Sequence, residues 1–222
     1  MLNIKIENCI REIAPLYLAG IIEASVVNMP TSAELSNEIN SCIDNLRQLY
    51  DIDTVKERSG IKATRQAYRK AGKDPSRYRP SCEQLCRRVL QEKGLYSIDS
   101  LVDIGNLISL DSAYSVAVID KDKITGDTLR LGIGKESEPY EAIGRGHLNI
   151  FQMPVWRDDV GGFATPTSDN VRTMCSAETQ NVLIIINGYD GDKEAVRQAL
   201  NKTSALLSKF ACGGNVKISI TE

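Results

Sequence analysis

The first thirteen residues, MLNIKIENCIREI, alternate apolar and polar side chains with the period of two that sets one strand face against a core. An edge strand is predicted over residues 2–6, and the early acids argue against a secretory signal. Residues 16–27 are apolar almost throughout, the pattern of a strand covered on both faces. At Thr31 the period changes. Thr31 followed by Glu34 has the form of a capping box, and Leu35, Ile39, Ile43 and Leu46 recur at helical spacing, predicting a helix to about Tyr50. A second helix is predicted over 61–71, stopped by Gly72 with Pro75 beyond. A third, capped by Ser81 and Gln84, buries Leu85, Val89 and Leu90 and ends at Gly94; a fourth covers 100–110. The period then returns towards two, with strands over 114–119, 128–133, 152–156 and 181–186. A long amphipathic helix over 193–210 ends before Gly213-Gly214, and 217–221 closes the chain as a strand. Helices concentrated early and strands late predict an α+β fold.

Length and composition narrow this picture. The 222 residues suit one sizeable core, so 1–222 is read as a single domain. No apolar run approaches the roughly 18 residues that span a membrane. Cys9, Cys42, Cys82, Cys86, Cys175 and Cys212 lack CxxC spacing and His147 is the only histidine, so a zinc site is not expected; reduced cysteines point to a cytoplasmic protein.

Charge changes the picture more. The formal net charge of −2 conceals a segment over 56–93 with twelve Lys and Arg against four acids, a local +8 set against −10 in the remainder. Tyr68 and Tyr78 are interleaved with the arginines, an arrangement suited to phosphates and exposed bases. Lys62, Arg65, Arg69, Lys70, Lys73, Arg77 and Arg79 are the candidate RNA contacts. The alternative is a solvated basic face that pairs with the acidic remainder.

The segment GLYSIDSLVDIGNLISL, then AVIDKDKITGDTLRL, resembles the editing domain of the bacterial phenylalanyl-tRNA synthetase beta subunit. The resemblance rests on Gly94, Ser97, Ile98, Asp99, Val102, Asp103, Asn106, Asp120, Asp122, Ile124, Gly126 and Arg130. Gly161-Gly162 and the run from Glu178 to Leu183 continue it over about half the chain. GKDPSRYRPSCEQLCRRV and TPTSDNVRT are similar to free-standing relatives of that domain, often called B3/B4 proteins. The resemblance implies a mixed α/β, two-lobed domain with sheets packed against helices and a pocket between the lobes. It also implies tRNA as partner, with no DNA and no membrane, and removal of a wrong amino acid from that tRNA. It departs at three positions: Tyr96, Ala117 and Ile185 stand where the family's editing pocket carries an arginine, a histidine and a glutamate. The scaffold transfers and the specificity does not.

In their place the loop over 161–173, GGFATPTSDNVRT, carries the candidate site. Gly161 and Gly162 allow close backbone approach, and Arg172 suits a carboxylate or phosphate. Thr165, Ser168 and Asp169 are the candidate catalytic groups; Gly161, Gly162, Arg172, Thr173 and Tyr96 are candidate substrate contacts. Ester hydrolysis needs a positioned water and donors for the developing oxyanion, which hydroxyls, backbone amides and the tRNA's terminal hydroxyl together provide. The alternative reading of this loop is a surface turn capped by Ser168 and Asp169. His147 is expected to sit in a loop without a catalytic role, Trp156 to anchor a core, and Asp103 and Asn106 to satisfy local backbone. KDKITGD lacks calcium-loop spacing and GIGKES lacks that of a phosphate loop, so no cofactor is expected. Deacylation of a mischarged tRNA in trans is the leading expectation. A non-catalytic RNA-binding accessory module and a free amino-acid-binding protein are the alternatives, and aminoacylation itself is not expected.

Overall fold

The computed structural model describes residues 1–221. In chain order its elements are β1 (Asn3–Ile6), α1 (Asn8–Ile13), β2 (Leu18–Ser25), α2 (Ala33–Leu49), α3 (Ser59–Lys70), α4 (Ser81–Leu90), α5 (Ser100–Ser112), β3 (Ser115–Asp120) and β4 (Thr128–Ile133). There follow the short hairpin strands β5 (Glu141–Ala142) and β6 (Gly146–His147), then β7 (Pro154–Arg157), β8 (Gly162–Ala164), β9 (Asn181–Gly188), α6 (Lys193–Phe210) and β10 (Gly214–Thr221). The class is α+β, as the sequence pattern predicts.

Two four-stranded sheets carry the architecture. One runs β10-β2-β9-β3 and is antiparallel at every pairing; the other runs β1-β4-β7-β8, with β1 and β4 parallel. The apolar run behind β2 is explained by burial on both faces. Leu18, Ile22 and Ala24 join α2, α4, α5 and α6 in one core, while Ala19 and Ile21 point to the other sheet and join Leu129, Leu131, Trp156 and Phe163 in a second. The layers are therefore helices, antiparallel sheet and mixed sheet. A smaller cluster of Tyr68, Tyr140, Ala142, Leu148, Ile150, Met153 and Val155 lies beneath the β5–β6 hairpin.

Several local expectations are corrected. Only residues 3–6 of the first alternation are strand; Asn8–Ile13 turns into a helix that packs on β4 and α3. The cap of α2 is Ser32, whose hydroxyl accepts from the Leu35 amide at 3.1 Å, while Thr31 donates to Asp103 Oδ2 at 2.6 Å. α4 has no side-chain cap: Pro80 precedes it, the Ser81 amide bonds Pro166 O, and Gln84 Nε2 donates to Arg79 O. Gly72 does end the α3 segment, with φ +86° and the Gln152 side chain in the space a Cβ would take. Part of the 161–173 loop is strand, β8 at the edge of the mixed sheet.

Candidate functional site

The positions where the resemblance requires polar editing residues do not meet in a pocket. Ala117 of β3 and Ile185 of β9 are directly paired, and both are buried in the core between the two sheets. Tyr96 lies elsewhere, exposed, with the Arg88 guanidinium 4.2 Å above its ring.

The loop over 161–173 is divided by its own hydrogen bonds. Thr165 Oγ1 accepts from the amides of Thr167 and Ser168 and donates to Ser168 O, closing a turn. Thr167 bonds Tyr68 and Tyr78 O, and Tyr140 donates to Ser168 O, which fixes that turn on α3 and the hairpin. Thr165 and Ser168 thus have structural partners, and Thr173 is fully buried. Arg172 is held by Asp158 through two nitrogens, at 3.0 and 2.9 Å. Desolvation opposes ionisation of Asp158, yet Arg172 and the amides of Thr125 and Gly161 outweigh it and hold the carboxyl below its usual range.

Gly161, Gly162 and Arg172 line an open cleft of ≈ 680 Å³ together with Glu138, Tyr140 and His147. Two of its charges are already paired, Glu138 with Arg157 at 2.7 Å and Arg172 with Asp158. His147 is exposed and is paired with Glu141 across the hairpin.

Asp169 points to the other side of the loop. It lines a more enclosed cavity of ≈ 210 Å³ with Val102, Gly105 and Asn106 of α5, Val116 and Val118 of β3, and Ile98, Ile143, Met174 and Cys175. Asp99, whose carboxylate caps α5 through the Val102 amide, completes the wall. Burial pushes the Asp169 carboxyl up to about 8, opposed only by a hydrogen bond from the Val118 backbone. Asp169 itself is half-buried, its accessible surface facing this cavity. Among the described residues no cation pairs with it. Asp103 meets the expectation in part, accepting from the local Ser97 hydroxyl and Ile98 amide and also from the distant Thr31, whereas Asn106, expected to satisfy local backbone, presents among the described residues a side-chain amide without a hydrogen-bond partner. Ile98 and Met174 are exposed, and there the cavity reaches the surface, two residues from the Tyr96–Arg88 pair.

Sequence reasoning finds Asp169, and the resemblance finds Ile98, Asp99, Val102 and Asn106, but nothing in the sequence brings them together with Ile143 and Met174. Ile143 and Met174 carry no chemical mark in the sequence, and the polar signal on the α5 wall is Asn106, one turn from Asp103.

The basic segment also divides. Arg65 is buried and donates to Glu83 Oε2 at 2.8 Å and to Pro75 O; Arg87 reaches the same carboxylate at 2.8 Å and Arg79 lies 3.5 Å from it. Lys73 is buried too, donating to Asn149 O and Phe151 O, and burial followed by the charge of Arg77 lowers its ammonium to about 8. Arg65 and Lys73 are corrected from candidate RNA contacts to structural cations. Lys62, Arg69, Lys70 and Arg77 remain exposed, Lys62 beside Glu57 at 3.0 Å. Among the described residues no helix is long and apolar enough to cross a membrane, and no three His, Cys, Asp or Glu gather as a metal site would require.

Residues 63–212 match the family model described as the B3/4 domain. The chain is similar to the crystal structure of an N-terminal fragment of the phenylalanyl-tRNA synthetase beta-subunit from Pyrococcus horikoshii, at 14% identity and a TM-score of 0.49. That similarity covers 99% of this chain and 54% of the other. No curated protein matches the sequence.

Proposed function

The chain belongs to the B3/4 domain family, and from that premise we propose that it removes a wrong amino acid from a mischarged tRNA in trans. The observation that carries the reading is the cavity holding Asp169 and Asn106, which opens two residues from an exposed tyrosine stacked under an arginine. A tRNA acceptor end offers both halves of the matching ligand: a single-stranded terminal base for Tyr96 and Arg88, and an ester-linked amino acid for the cavity. Lys62, Arg69, Lys70 and Arg77 supply exposed charge for phosphates farther along the acceptor. Asn106 is free to donate to the oxyanion that develops during ester hydrolysis, with water and the tRNA's terminal hydroxyl as the other parties. A cytoplasmic setting follows from this substrate.

The test is release of amino acid from a panel of correctly and incorrectly charged tRNAs, with Asn106→Ala alongside. Selective release that falls about a hundredfold in the variant, the scale of one lost oxyanion donor, is expected. Survival of every charged tRNA overturns hydrolysis. Binding without release then leaves an RNA-binding module, and absence of tRNA binding leaves a free amino-acid-binding protein.

A further inference from the structure

We propose that the Asp169 cavity is a recognition site for a compact hydrophobic primary ammonium, with the carboxylate as its counter-charge. This deepens the deacylase reading, and rests on it only where the ammonium is identified as that of an aminoacyl group.

Asp169 is held by the turn that Thr165 closes, and it faces the edge of β3 and the flank of α5. The titratable groups facing it are Asp99 at the α5 N-terminus, Cys175 and Tyr140, and none carries positive charge. Burial, then the charges of Asp120, Asp99 and Asp169, pushes the Cys175 thiol up to about 12, and burial raises the Tyr140 hydroxyl as well, so both stay neutral. A carboxylate withdrawn into a cavity ordinarily has a cation or several donors; this half-buried one has a single backbone amide. Elsewhere in the same fold buried acids are well partnered, as Glu83 is by arginines and Asp158 by Arg172. An unpaired acid inside a cavity is therefore completed by a cation that arrives from outside.

The remaining walls define the rest of the ligand. Val102, Val116, Val118, Ile143 and Met174 offer only apolar surface to whatever the ammonium carries. At ≈ 210 Å³ the space exceeds the roughly 150 Å³ of an apolar cavity that takes benzene and falls below the ~300 Å³ at which drug-sized pockets begin. A group of about six heavy atoms bearing an ammonium fits those limits, and a fully hydrated inorganic cation does not match the apolar walls. Binding is proton-linked: the ligand enters as R–NH3⁺, the carboxyl gives its proton to the buffer, and the ion pair forms.

The experiment is titration calorimetry of the full chain near pH 7 with isoamylamine and with isoamyl alcohol, which keeps the shape and lacks the charge. The amine is expected to bind at least about tenfold more tightly, as a charge-assisted bond predicts. Its heat is expected to vary with buffer ionisation enthalpy in proportion to a proton released. Asp169→Asn should remove the preference and the proton release, while thermal unfolding of the variant reports that it is folded. Equal affinity for the two probes, binding of neither, or a preference that survives in Asp169→Asn overturns the proposal. The wild-type proton release needs no variant and keeps the test decisive if Asp169→Asn does not fold. A site that takes the amine while every charged tRNA survives retains the ammonium site and removes the deacylase reading; deacylation without amine binding does the reverse.

Discussion

Arg172 and Asp158 form a two-pronged ion pair, Nη1 to Oδ2 at 3.0 Å and Nη2 to Oδ1 at 2.9 Å, that ties the end of the 161–173 loop to the turn after β7. The Asp158 side chain has no exposed surface and that of Arg172 keeps 28%, so removing the arginine leaves a buried anion with backbone amides alone.

Arg172→Ala is accordingly expected to cost about 2 kcal/mol of stability, read by urea unfolding. The pH dependence has a definite sign. Because the folded carboxyl is held below its ordinary value, the stability it contributes is present above the unfolded pKa of about 4 and is lost as pH falls through the lower folded value. Arg172→Ala should therefore narrow its deficit against wild type as the solution is acidified below about pH 4. A deficit unchanged down to pH 2 would sink this account.

Glu83 on α4 ties α3 to α4 by accepting from Arg65 and Arg87, and its side chain is fully buried. Glu83→Ala leaves Arg65, itself buried, without its carboxylate, and a loss of about 3–5 kcal/mol is expected. Replacing Lys62, which pairs with Glu57 at the surface, should cost less than about 1 kcal/mol. Chemical denaturation of both variants makes the comparison, and equal losses would contradict the burial assignment.

How far these features are legible in the sequence depends on the range of the interactions involved. Leu35, Ile39, Ile43 and Leu46 repeat with the helical period and are all buried, and the apolar run before Val27 becomes a strand covered on both faces, because burial along one element prints directly on its own residues. The helix at Asn8–Ile13 is too short for such a period to emerge from the strand-like alternation before it. Thr31 and Ser32 are equally good caps on paper; the structure chooses Ser32 because Asp103, far along the chain, takes the hydroxyl of Thr31. Arg65 and Arg69 are likewise indistinguishable by charge, and only the fold brings Glu83 to the first. For the site, Asp169 stands out as a carboxylate in a polar loop, but its cavity exists only where α5, β3, Ile143 and the 174–175 segment meet, and apolar walls leave no chemical mark in a sequence.

The raised Asp169 carboxyl gives the opposite pH dependence from Asp158. Its folded value of about 8 lies above the unfolded value near 4, so between those limits the folded chain binds the extra proton and stability declines as pH rises. Asp169→Asn cannot ionise and should remove that decline, making the variant more stable than wild type at pH 8 by a larger margin than at pH 5. Thermal unfolding at the two pH values measures the difference. A margin independent of pH would show that the carboxyl titrates in its ordinary range.

Among the cations of the basic segment, accessibility rather than sequence position decides which can contact a phosphate. Each exposed cation that neutralises a phosphate releases condensed counterions, so its removal should weaken tRNA binding and flatten the salt dependence by somewhat under one unit of slope, as for single strands or duplex. Arg69→Ala, Lys70→Ala and Arg77→Ala are expected to act in that way with little effect on stability, since the three side chains are exposed and make no ion pair. Lys73→Ala should do the reverse: it removes the hydrogen bonds to Asn149 O and Phe151 O that pin the 149–151 turn, lowering stability by about 1–3 kcal/mol while leaving the salt slope of the folded protein unchanged. Filter binding across a salt series, paired with urea unfolding of each variant, separates the two groups. A lower salt slope in folded Lys73→Ala, or unchanged slopes in all three exposed variants, would remove this face from the tRNA-binding reading.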